Sequence, residues 1–450
     1  MHRFIHRRKF RVLIPLLLAI VSGCEAPLID GFFTKAEWEE IGELSPLPEQ
    51  PPLDSTNIYA DNPDAAVFGQ KLFFERDYAG PLITGDDGQN GGLGQVGEVG
   101  ALACRDCHLG DWMVDTRSNP MATSLGADRM ARNAASLVNI AYYPEHWYEN
   151  DGIMDSIWGE SIVDVEFDPG FNSSRLRFVH VVYDQYKDDY EAIFGPLDPA
   201  LDPAAPDADR FPPEGRPGSP AWDSMTADDQ MHVNTIMANA GKALHAYQRQ
   251  LISRDAPFDR YVAGDTTAIS DTAKRGLKIF VGKGACIACH TGPAFTDGEF
   301  HNTGMEPQGE YAVPPGSDPQ AWPLGGRLPA IDIALGYEFN SNSIYSDDQN
   351  SGRLDDLVAD PALLGQWRTK SLRQIAESAP YMRTGQLETL REVVEFYNDG
   401  GSEAGFVGEK DEDIAELNLD EDEIDDLVAF LETLTGQPVE PALLEDISVP

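Results

Sequence analysis

Two short motifs of identical spacing contain the residues of this chain whose types and positions predict chemistry. They are Cys104-Arg-Asp-Cys107-His108 and Cys286-Ile-Ala-Cys289-His290. In a Cys-x-x-Cys-His motif the two thiols bond to the vinyl groups of a porphyrin, and the histidine becomes the proximal ligand of its iron. With five Cys and nine His in 450 residues, chance yields such a pair in about one chain in a million. The sequence therefore predicts two covalently bound haem c groups.

Other uses of paired cysteines fit these motifs less well. A zinc site normally has its two Cys-x-x-Cys halves within about 20 residues of each other, whereas these two lie far apart in the chain. A thioredoxin-like site requires a strand–helix–strand setting, and a disulfide framework does not explain a histidine after each pair. Haem attachment remains the best interpretation of all four thiols.

The N-terminal residues have the pattern of an export signal. Residues 1–11 include five basic side chains and no acidic one, residues 12–21 are apolar, and Ser22-Gly23-Cys24 follows. This pattern predicts a signal peptide over residues 1–23. Cys24 resembles the acylated cysteine of bacterial lipoproteins, which predicts a lipid anchor at the periplasmic face of the cell envelope, and Glu25 favours the outer membrane. The alternative is ordinary cleavage that leaves a free Cys24 thiol.

The charge balance limits the partners of the chain. Asp and Glu number 76 and Lys and Arg 33, which gives a formal net charge of −43. Such a surface repels phosphate backbones, so we expect no nucleic-acid partner. It would attract a basic redox protein, such as a cytochrome or a cupredoxin, although acidity can equally serve solubility. The sequence leaves the assembly state open, a homodimer included.

An internal repeat organises the folded part of the chain. Gly69-Gln-Lys-Leu-Phe-Phe74 before the first motif is echoed by Gly276-Leu-Lys-Ile-Phe-Val281 before the second. We expect each segment to be a helix that covers a haem. The predicted fold is mostly α, with two cytochrome c-like helical domains, each around one covalent haem, and long irregular loops. The predicted ranges are a tether over 24–60, domains over 61–235 and 236–440, and a tail over 441–450.

Local patterns refine this outline. A long helix is predicted from Asp228 to Leu251, and residues 427–434 are predicted to form the apolar face of a last helix. Residues 196–225 and 309–360 are rich in proline and polar residues, which indicates two surface excursions.

Further strings carry a resemblance to a known family. They are Arg132-Asn133-Ala-Ala-Ser136-Leu137-Val-Asn139, Ser253-Arg-Asp-Ala-Pro-Phe-Asp259, Phe300-His301-Asn302-Thr-Gly304, Thr369-Lys-Ser-Leu-Arg373 and Ala379-Pro380-Tyr381-Met382. From about residue 62 to residue 436 the chain resembles the bacterial di-haem cytochrome c peroxidases and their MauG-type relatives. The resemblance implies that the C-terminal haem takes electrons from a donor and that the N-terminal haem meets hydrogen peroxide.

The resemblance also implies metal ligands beyond the two motifs. A calcium ion between the haems would be bound by the Asn133 side chain and the backbone carbonyls of Ser378 and Pro380, and oxygen ligands of this kind suit calcium. A capping or turn role is the alternative for Asn133. The sixth ligand of the second haem maps to Tyr397, as in MauG-like proteins, with Met382 as the competing candidate.

The predicted peroxide pocket departs from the family pattern. The family's acid–base glutamate maps to Gly170, and its inter-haem tryptophan maps to Asn150. Acidic side chains nearby are Glu160, Asp164 and Glu166, and Trp147 or Trp158 could replace the tryptophan. Either one of these carboxyl groups has taken over proton transfer, or peroxide chemistry is lost. Two functions therefore stand: a peroxide-dependent oxidoreductase, and a non-enzymatic electron carrier of the cell envelope.

Overall fold

Eleven helices and two very short strands dominate the described part of the chain. The computed structural model describes residues 28–448 except 87, 89–92, 120, 145, 310–315 and 317, so the predicted signal peptide and Cys24 lie outside the described residues. The helices are α1 (Lys35–Gly42), α2 (Pro63–Phe74), α3 (Ile157–Glu166), α4 (Arg175–Phe194), α5 (Pro220–Asp223), α6 (Ala227–Gln248), α7 (Pro257–Val262), α8 (Asp271–Val281), α9 (Arg327–Gly336), α10 (Leu390–Asn398) and α11 (Glu421–Glu432). Strands β1 (Phe300–His301) and β2 (Trp367–Arg368) pair antiparallel. The prediction of a mostly helical fold is confirmed.

Side-chain caps explain where the principal helices begin. The Asn62 side chain accepts hydrogen bonds from the first turn of α2, and Pro63 occupies the first helical position, where its missing N–H costs no hydrogen bond. Thr226 and Ser270 cap α6 and α8 in the same way. The long helix predicted over residues 228–251 is therefore observed as α6, and it ends three residues earlier than expected.

Two pairs of helices cross in the same way. A Cβ atom at Gly69 of α2 would lie 2.0 Å from the carbonyl oxygen of Ala243 in α6. A Cβ atom at Gly276 of α8 would lie 1.9 Å from the carbonyl oxygen of Asp426 in α11. Any side chain at either position would collide with the partner backbone, so only glycine permits these close approaches.

An aromatic pair follows each crossing at the same offset. Phe73 packs against Tyr247 with ring centroids 5.2 Å apart, and Phe280 packs against Phe430 at 5.1 Å. In α2 and α8 the ring follows the glycine by four residues, and in α6 and α11 the ring follows Ala243 or Asp426 by four residues. Each ring therefore lies one helical turn after the close approach, on the same helix face. The sequence echo thus corresponds to a repeated helix–helix unit.

The repeated units have separate apolar cores. Helices α2, α3, α4 and α6 contribute to the larger core, and α7, α8, α10 and α11 contribute to the second. The boundary predicted between residues 235 and 236 falls inside the continuous helix α6, which packs against α2 and α3. The first unit therefore extends at least to Gln248.

The tether predicted over residues 24–60 also needs correction from residue 28 onward. Thr34 and Glu37 form a reciprocal capping box at the start of α1, and Phe33, Ile41 and Leu44 are fully buried in the second core. Apolar residues near helical spacing account for this packing. The segment is part of the folded body, and its helix α1 contacts α8.

The C-terminal residues pack onto the first unit. The Gln70 side chain donates to the carbonyl oxygens of Ala442 and Glu445, at 2.8 and 3.0 Å, and the Tyr247 hydroxyl donates to that of Leu443 at 2.6 Å. The N-terminal end of the described chain therefore packs on the second unit, and the C-terminal end packs on the first unit.

The two predicted excursions contain packed residues as well. Leu201, Phe211 and Trp222 of the first are buried in the larger core, and the second contains α9 with Ala330 buried. No helix of the described residues is long and apolar enough to cross a membrane.

Candidate functional site

The first Cys-x-x-Cys-His motif forms a tight turn with a fixed histidine. Cys104–Asp106 is a single 3₁₀ turn, and the His108 Nδ1 donates to the carbonyl oxygen of Met113 at 3.2 Å. Met113 adopts a left-handed φ of 49° that directs this carbonyl toward the ring. Burial lowers the pKa of His108. A neutral imidazole protonated at Nδ1 presents the Nε2 lone pair, which suits an iron ligand.

The second motif repeats this arrangement. Cys286–Ala288 is again one 3₁₀ turn, and the His290 Nδ1 donates to the carbonyl oxygen of Phe295 at 3.1 Å. Phe295 has a left-handed φ of 52°. Burial lowers the pKa of His290. The acceptor carbonyl follows the histidine by five residues in both motifs, so equivalent Nδ1 hydrogen bonds orient the two imidazole rings.

A cavity of about 350 Å³ adjoins the first motif. Cys104, Cys107 and His108 line it, and burial raises the pKa of the Cys104 thiol to about 12. Two thiols and a histidine that line one cavity fit covalent attachment of a haem. Arg368 is 5% exposed and lines the same cavity. Its guanidinium lies over the Tyr143 ring at 4.3 Å, and its Nη1 has no hydrogen-bond partner among the described residues. A haem propionate would supply an anionic partner of the right kind.

Two of the three predicted acids reach this cavity. Glu160 and Asp164 lie four residues apart on α3, on one helix face, and both line the cavity. Glu166 does not line the cavity in the described part of the chain, and it forms an ion pair with Arg175 at 2.7 Å. Glu166 therefore lies apart from the other two predicted acids, and its ion pair with Arg175 favours a structural role.

Burial makes both cavity acids weak acids. It raises the pKa of Glu160 well above the usual value, and the charge of Glu149 raises it further. Burial and the same neighbour raise the pKa of Asp164 to about 7. Carboxyl groups of this kind hold a proton near neutral pH, as acid–base catalysis requires.

Two further charged residues of the cavity were missed by sequence reasoning. Glu149 and Lys370 both line it. Burial and the nearby Arg368 lower the pKa of Lys370 to about 7. Glu149 precedes Asn150, which occupies the position of the family's inter-haem tryptophan. Lys370 lies inside the Thr369–Arg373 string. Both residues therefore lie next to or within family motifs, which could have drawn attention to them. Neither sequence periodicity nor motif spacing shows that Glu149 and Lys370 face the same cavity.

The glycine at the expected acid position has no room for a side chain. A Cβ atom at Gly170 would lie 2.6 Å from the carbonyl oxygen and 3.0 Å from the Cβ of Asp164. Asp164 thus occupies the space that a side chain at position 170 would need. The carboxyl groups enter the cavity from α3 instead of from this loop.

Neither alternative tryptophan lines the cavity within the described chain. The Trp158 indole is fully buried and donates to the Thr56 hydroxyl at 3.0 Å, and the Trp147 ring stacks on Arg327 at 3.8 Å. Trp322, from the second excursion, does line the cavity, and Arg132 lies between its ring and that of Trp367, at 5.6 and 5.0 Å.

The second motif has Tyr397 nearby, on α10. Burial raises the pKa of the Tyr397 phenol, and the adjacent thiols of Cys286 and Cys289 raise it further. Met382 is half-buried with a left-handed φ of 66°. His301 bridges Asp297 and Asp411 at 3.1 and 2.8 Å, and these two carboxylates hold its pKa above the usual value.

Asn133, one of the three predicted calcium ligands, has an unusual environment. Asn133 has both amide atoms buried, and neither has a hydrogen-bond partner among the described residues. Gly385 brings Asn133 and Pro380 together, because a Cβ at Gly385 would meet the Asn133 Nδ2 at 2.8 Å and the Pro380 Cγ at 2.9 Å. A buried amide oxygen without a hydrogen-bond partner in the described chain is the kind of ligand that a hard cation prefers.

Comparison with known proteins agrees with this geometry. The sequence model of the di-haem cytochrome c peroxidase family matches residues 63–267. The chain is 35% identical to a cytochrome-c peroxidase, IdrP2, of Denitromonas iodatirespirans, over 96% of this chain and 93% of that protein. It is 29% identical to IdrP1 of the same organism, over 97% and 96%.

Solved structures show the same fold. The diheme peroxidase BthA of Burkholderia thailandensis E264 superposes with a TM-score of 0.57 at 19% identity, covering 87% of this chain and 94% of that chain. A MauG-like protein associated with microbial copper homeostasis gives a TM-score of 0.56 at 21% identity, covering 89% and 98%.

Proposed function

The chain belongs to the di-haem cytochrome c peroxidase family of oxidoreductases, and we propose that it reduces hydrogen peroxide to water with electrons from a redox partner protein. The family carries covalently bound haem c, and Cys104, Cys107 and His108, with Cys286, Cys289 and His290, would hold the two groups. The names of its most similar relatives favour peroxide reduction over the oxidation of a protein side chain.

The cavity acids carry this proposal. When bound, the haems supply the redox chemistry, namely one-electron transfer and activation of the peroxide oxygen. The protein must hold peroxide, exclude bulk water and move protons between the two oxygens. Glu160 and Asp164 are the acid–base groups that we assign to this task, because both line the cavity beside His108 with raised pKa values. Overall, one peroxide consumes two electrons and two protons and yields two waters.

The remaining assignments follow from the resemblance and are supported by local geometry. Tyr397 is our choice for the sixth ligand of the second haem, with Met382 as the alternative. A calcium ion bound by Asn133, Ser378 and Pro380 would lie between the haems. We also propose one cytochrome c-like domain for each haem, with the boundary after residue 248, because each haem motif follows one of the two glycine crossings.

Location and partners complete the proposal. We propose that the signal peptide directs export, that Cys24 carries the lipid, and that the protein acts at the periplasmic face of the cell envelope. A basic cytochrome or cupredoxin would supply electrons at the second haem, steered by the acidic surface.

Rapid mixing of the reduced and half-reduced di-haem protein with hydrogen peroxide tests the function. We expect prompt spectral changes at one haem, and Glu160→Gln and Asp164→Asn should each slow them by roughly 100-fold, the usual loss for a proton-transfer group. Asp168→Asn removes a carboxylate that is solvent-exposed and paired with Arg216, so it should react like wild type. Slow bleaching alone would support the electron-carrier alternative and overturn the peroxidase proposal.

A further inference from the structure

Tyr186 interrupts the long helix α4. Its backbone has φ −126° and ψ 17°, outside the helical range, although α4 continues on both sides. Such breaks occur at proline, at glycine or serine pairs, or where tertiary contacts disturb the helical hydrogen bonds. Helix α4 contains no proline, glycine or serine. The tertiary contacts of Tyr186, which is 1% exposed and lies beside the Phe68 ring at 6.1 Å, therefore remain as the cause.

The Tyr186 hydroxyl donates a hydrogen bond to the carboxylate of Glu75, the residue that follows α2. Glu75 is 4% exposed. Its other carboxylate oxygen accepts from the backbone N–H groups of Arg76 and Asp77, both at 2.7 Å. The Arg76 guanidinium pairs with Asp106 instead, at 2.8 Å. The phenol is thus paired with a buried carboxylate that backbone donors hold in place.

A series of short contacts joins this pair to the first haem motif. The Glu75 N–H donates to the carbonyl oxygen of Leu72 at 3.3 Å, and the Tyr78 hydroxyl donates to the same oxygen at 3.2 Å. The Tyr78 hydroxyl also lies 3.5 Å from the Cys104 Sγ. In the holoprotein that sulfur would be a thioether bonded to the porphyrin. The Glu75–Tyr186 pair is therefore connected to the haem attachment point through Tyr78.

Hydrogen-bond partners distinguish Tyr186 from its neighbours. A phenol that loses an electron becomes a strong acid, so its oxidation requires a base within hydrogen-bond distance. Tyr78 donates to an amide carbonyl, which is a very weak base. Tyr190, one turn further along α4, also lies beside Phe68, at 6.4 Å, but its hydroxyl accepts from the Asn239 amide at 2.8 Å. Of these three tyrosines, Tyr186 alone donates to a carboxylate within the described structure.

We propose that Tyr186 is a redox-active residue that gives one electron to the first haem after peroxide has oxidised that haem. This inference rests on the peroxidase function proposed above and adds an electron source within the protein. Tyr186 is oxidised by one electron and the haem is reduced by one. The O–H bond of Tyr186 breaks, its proton forms a new O–H bond with Glu75, and a neutral tyrosyl radical remains. An electron from the redox partner later reduces the radical, and Glu75 returns the proton.

Such a residue separates the reaction with peroxide from the arrival of electrons. Peroxide takes two electrons in one event, whereas a cytochrome or cupredoxin delivers one at a time. Tyr186 can hold one of the two oxidising equivalents until the donor binds. Its burial beside Phe68 excludes water, which protects a radical from side reactions.

Rapid-freeze electron paramagnetic resonance of the holoprotein tests this role, with hydrogen peroxide added in the absence of a donor. We expect a tyrosyl radical in the wild type and its loss in Tyr186→Phe, which keeps the ring and removes the hydroxyl. Tyr190→Phe is the matched control, because it removes a phenol from the same helix and from contact with the same Phe68 ring. It should keep the wild-type signal.

Glu75→Gln tests the proton acceptor separately. The glutamine oxygen can still accept from the N–H groups of Arg76 and Asp77, so the backbone should stay in place, whereas the amide cannot take the phenolic proton. We expect the radical to form roughly 100-fold more slowly, the usual loss for a proton-transfer group. A radical that forms at the wild-type rate in Glu75→Gln would overturn the role of Glu75 as the base.

The remaining outcomes separate this inference from the function on which it rests. If Tyr186→Phe does not retain both haems, a fluorotyrosine at position 186 replaces it, and the radical signal should then show fluorine splitting. A wild type that reacts promptly with peroxide without a tyrosyl radical overturns the inference alone, as does an undiminished radical in Tyr186→Phe or a fluorotyrosine protein without splitting. A wild type that does not react with peroxide overturns the proposed function and this inference together.

Discussion

Individual side chains set the properties of each iron site. A phenolate oxygen at the second haem stabilises ferric and higher-valent iron, whereas a thioether favours ferrous iron and raises the potential. Burial raises the pKa of the Tyr397 phenol, which lies near Cys286 and Cys289. A phenol of this kind loses its proton only when a cation such as iron takes its place. The choice between Tyr397 and Met382 is thus a choice between two redox roles.

Ligand replacement distinguishes Tyr397 from Met382. We expect Tyr397→Phe to convert the second haem from low-spin to high-spin in the resting electron paramagnetic resonance spectrum, because it removes the ligand oxygen. Met382→Leu, the matched control, should leave that spectrum unchanged. A near-infrared sulfur-to-iron band in the wild type that Met382→Leu abolishes would show that the methionine is the ligand.

At the scale of elements, the glycine crossings hold each helical unit together. Gly69 and Gly276 allow backbone contact between helices, and the rings of Phe73 and Phe280 pack one turn further on. Each haem motif follows one of these crossed helices in sequence. Positions without such contact should tolerate a methyl group.

Alanine substitution tests this role of the glycines. Gly69→Ala and Gly276→Ala should each lower the free energy of unfolding by about 2–4 kcal/mol, because the helices must separate to admit a methyl group. Gly42→Ala, at the end of α1, has nothing within 4 Å of the new Cβ in the described structure. It should change stability by no more than about 1 kcal/mol, in the stabilising direction. Denaturant titration with haem absorbance measures all three, and a neutral Gly69→Ala would contradict the close crossing.

Across the whole molecule, charge and the crossed chain ends are the main features. The N-terminal segment with Phe33 and Ile41 packs on the second unit, while Leu443 and its neighbours bond to the first. The two units are therefore linked by both ends of the described chain as well as by the connection after α6. The chain that forms these two units has a formal net charge of −43.

The charge predicts how electron delivery depends on salt. With a basic cytochrome as donor, kcat/KM should fall at least about tenfold between low ionic strength and 1 M salt, because screening removes electrostatic steering. A neutral small-molecule donor is the control and should show little change. Steady-state peroxide reduction at several salt concentrations measures both, and a salt-independent rate with the basic protein would contradict steering.

Sequence alone was sufficient for features that depend on local spacing. The haem motifs, the helical class and the repeated glycine segments are set by residues within a few positions of each other, so their patterns are legible without coordinates. The resemblance likewise drew attention to Glu160, Asp164 and Glu166, and the four-residue separation of the first two places them on one helix face.

Only the tertiary structure decided which distant residues share the first haem cavity. Glu149 and Lys370 enter it from segments more than 200 residues apart, Glu166 turns away to Arg175, and Asp164 fills the space beside Gly170. The packing of residues 28–60 was equally hidden, because composition does not show which apolar side chains find a partner surface. Proximity between segments depends on how helices pack, and packing is a property of the whole chain.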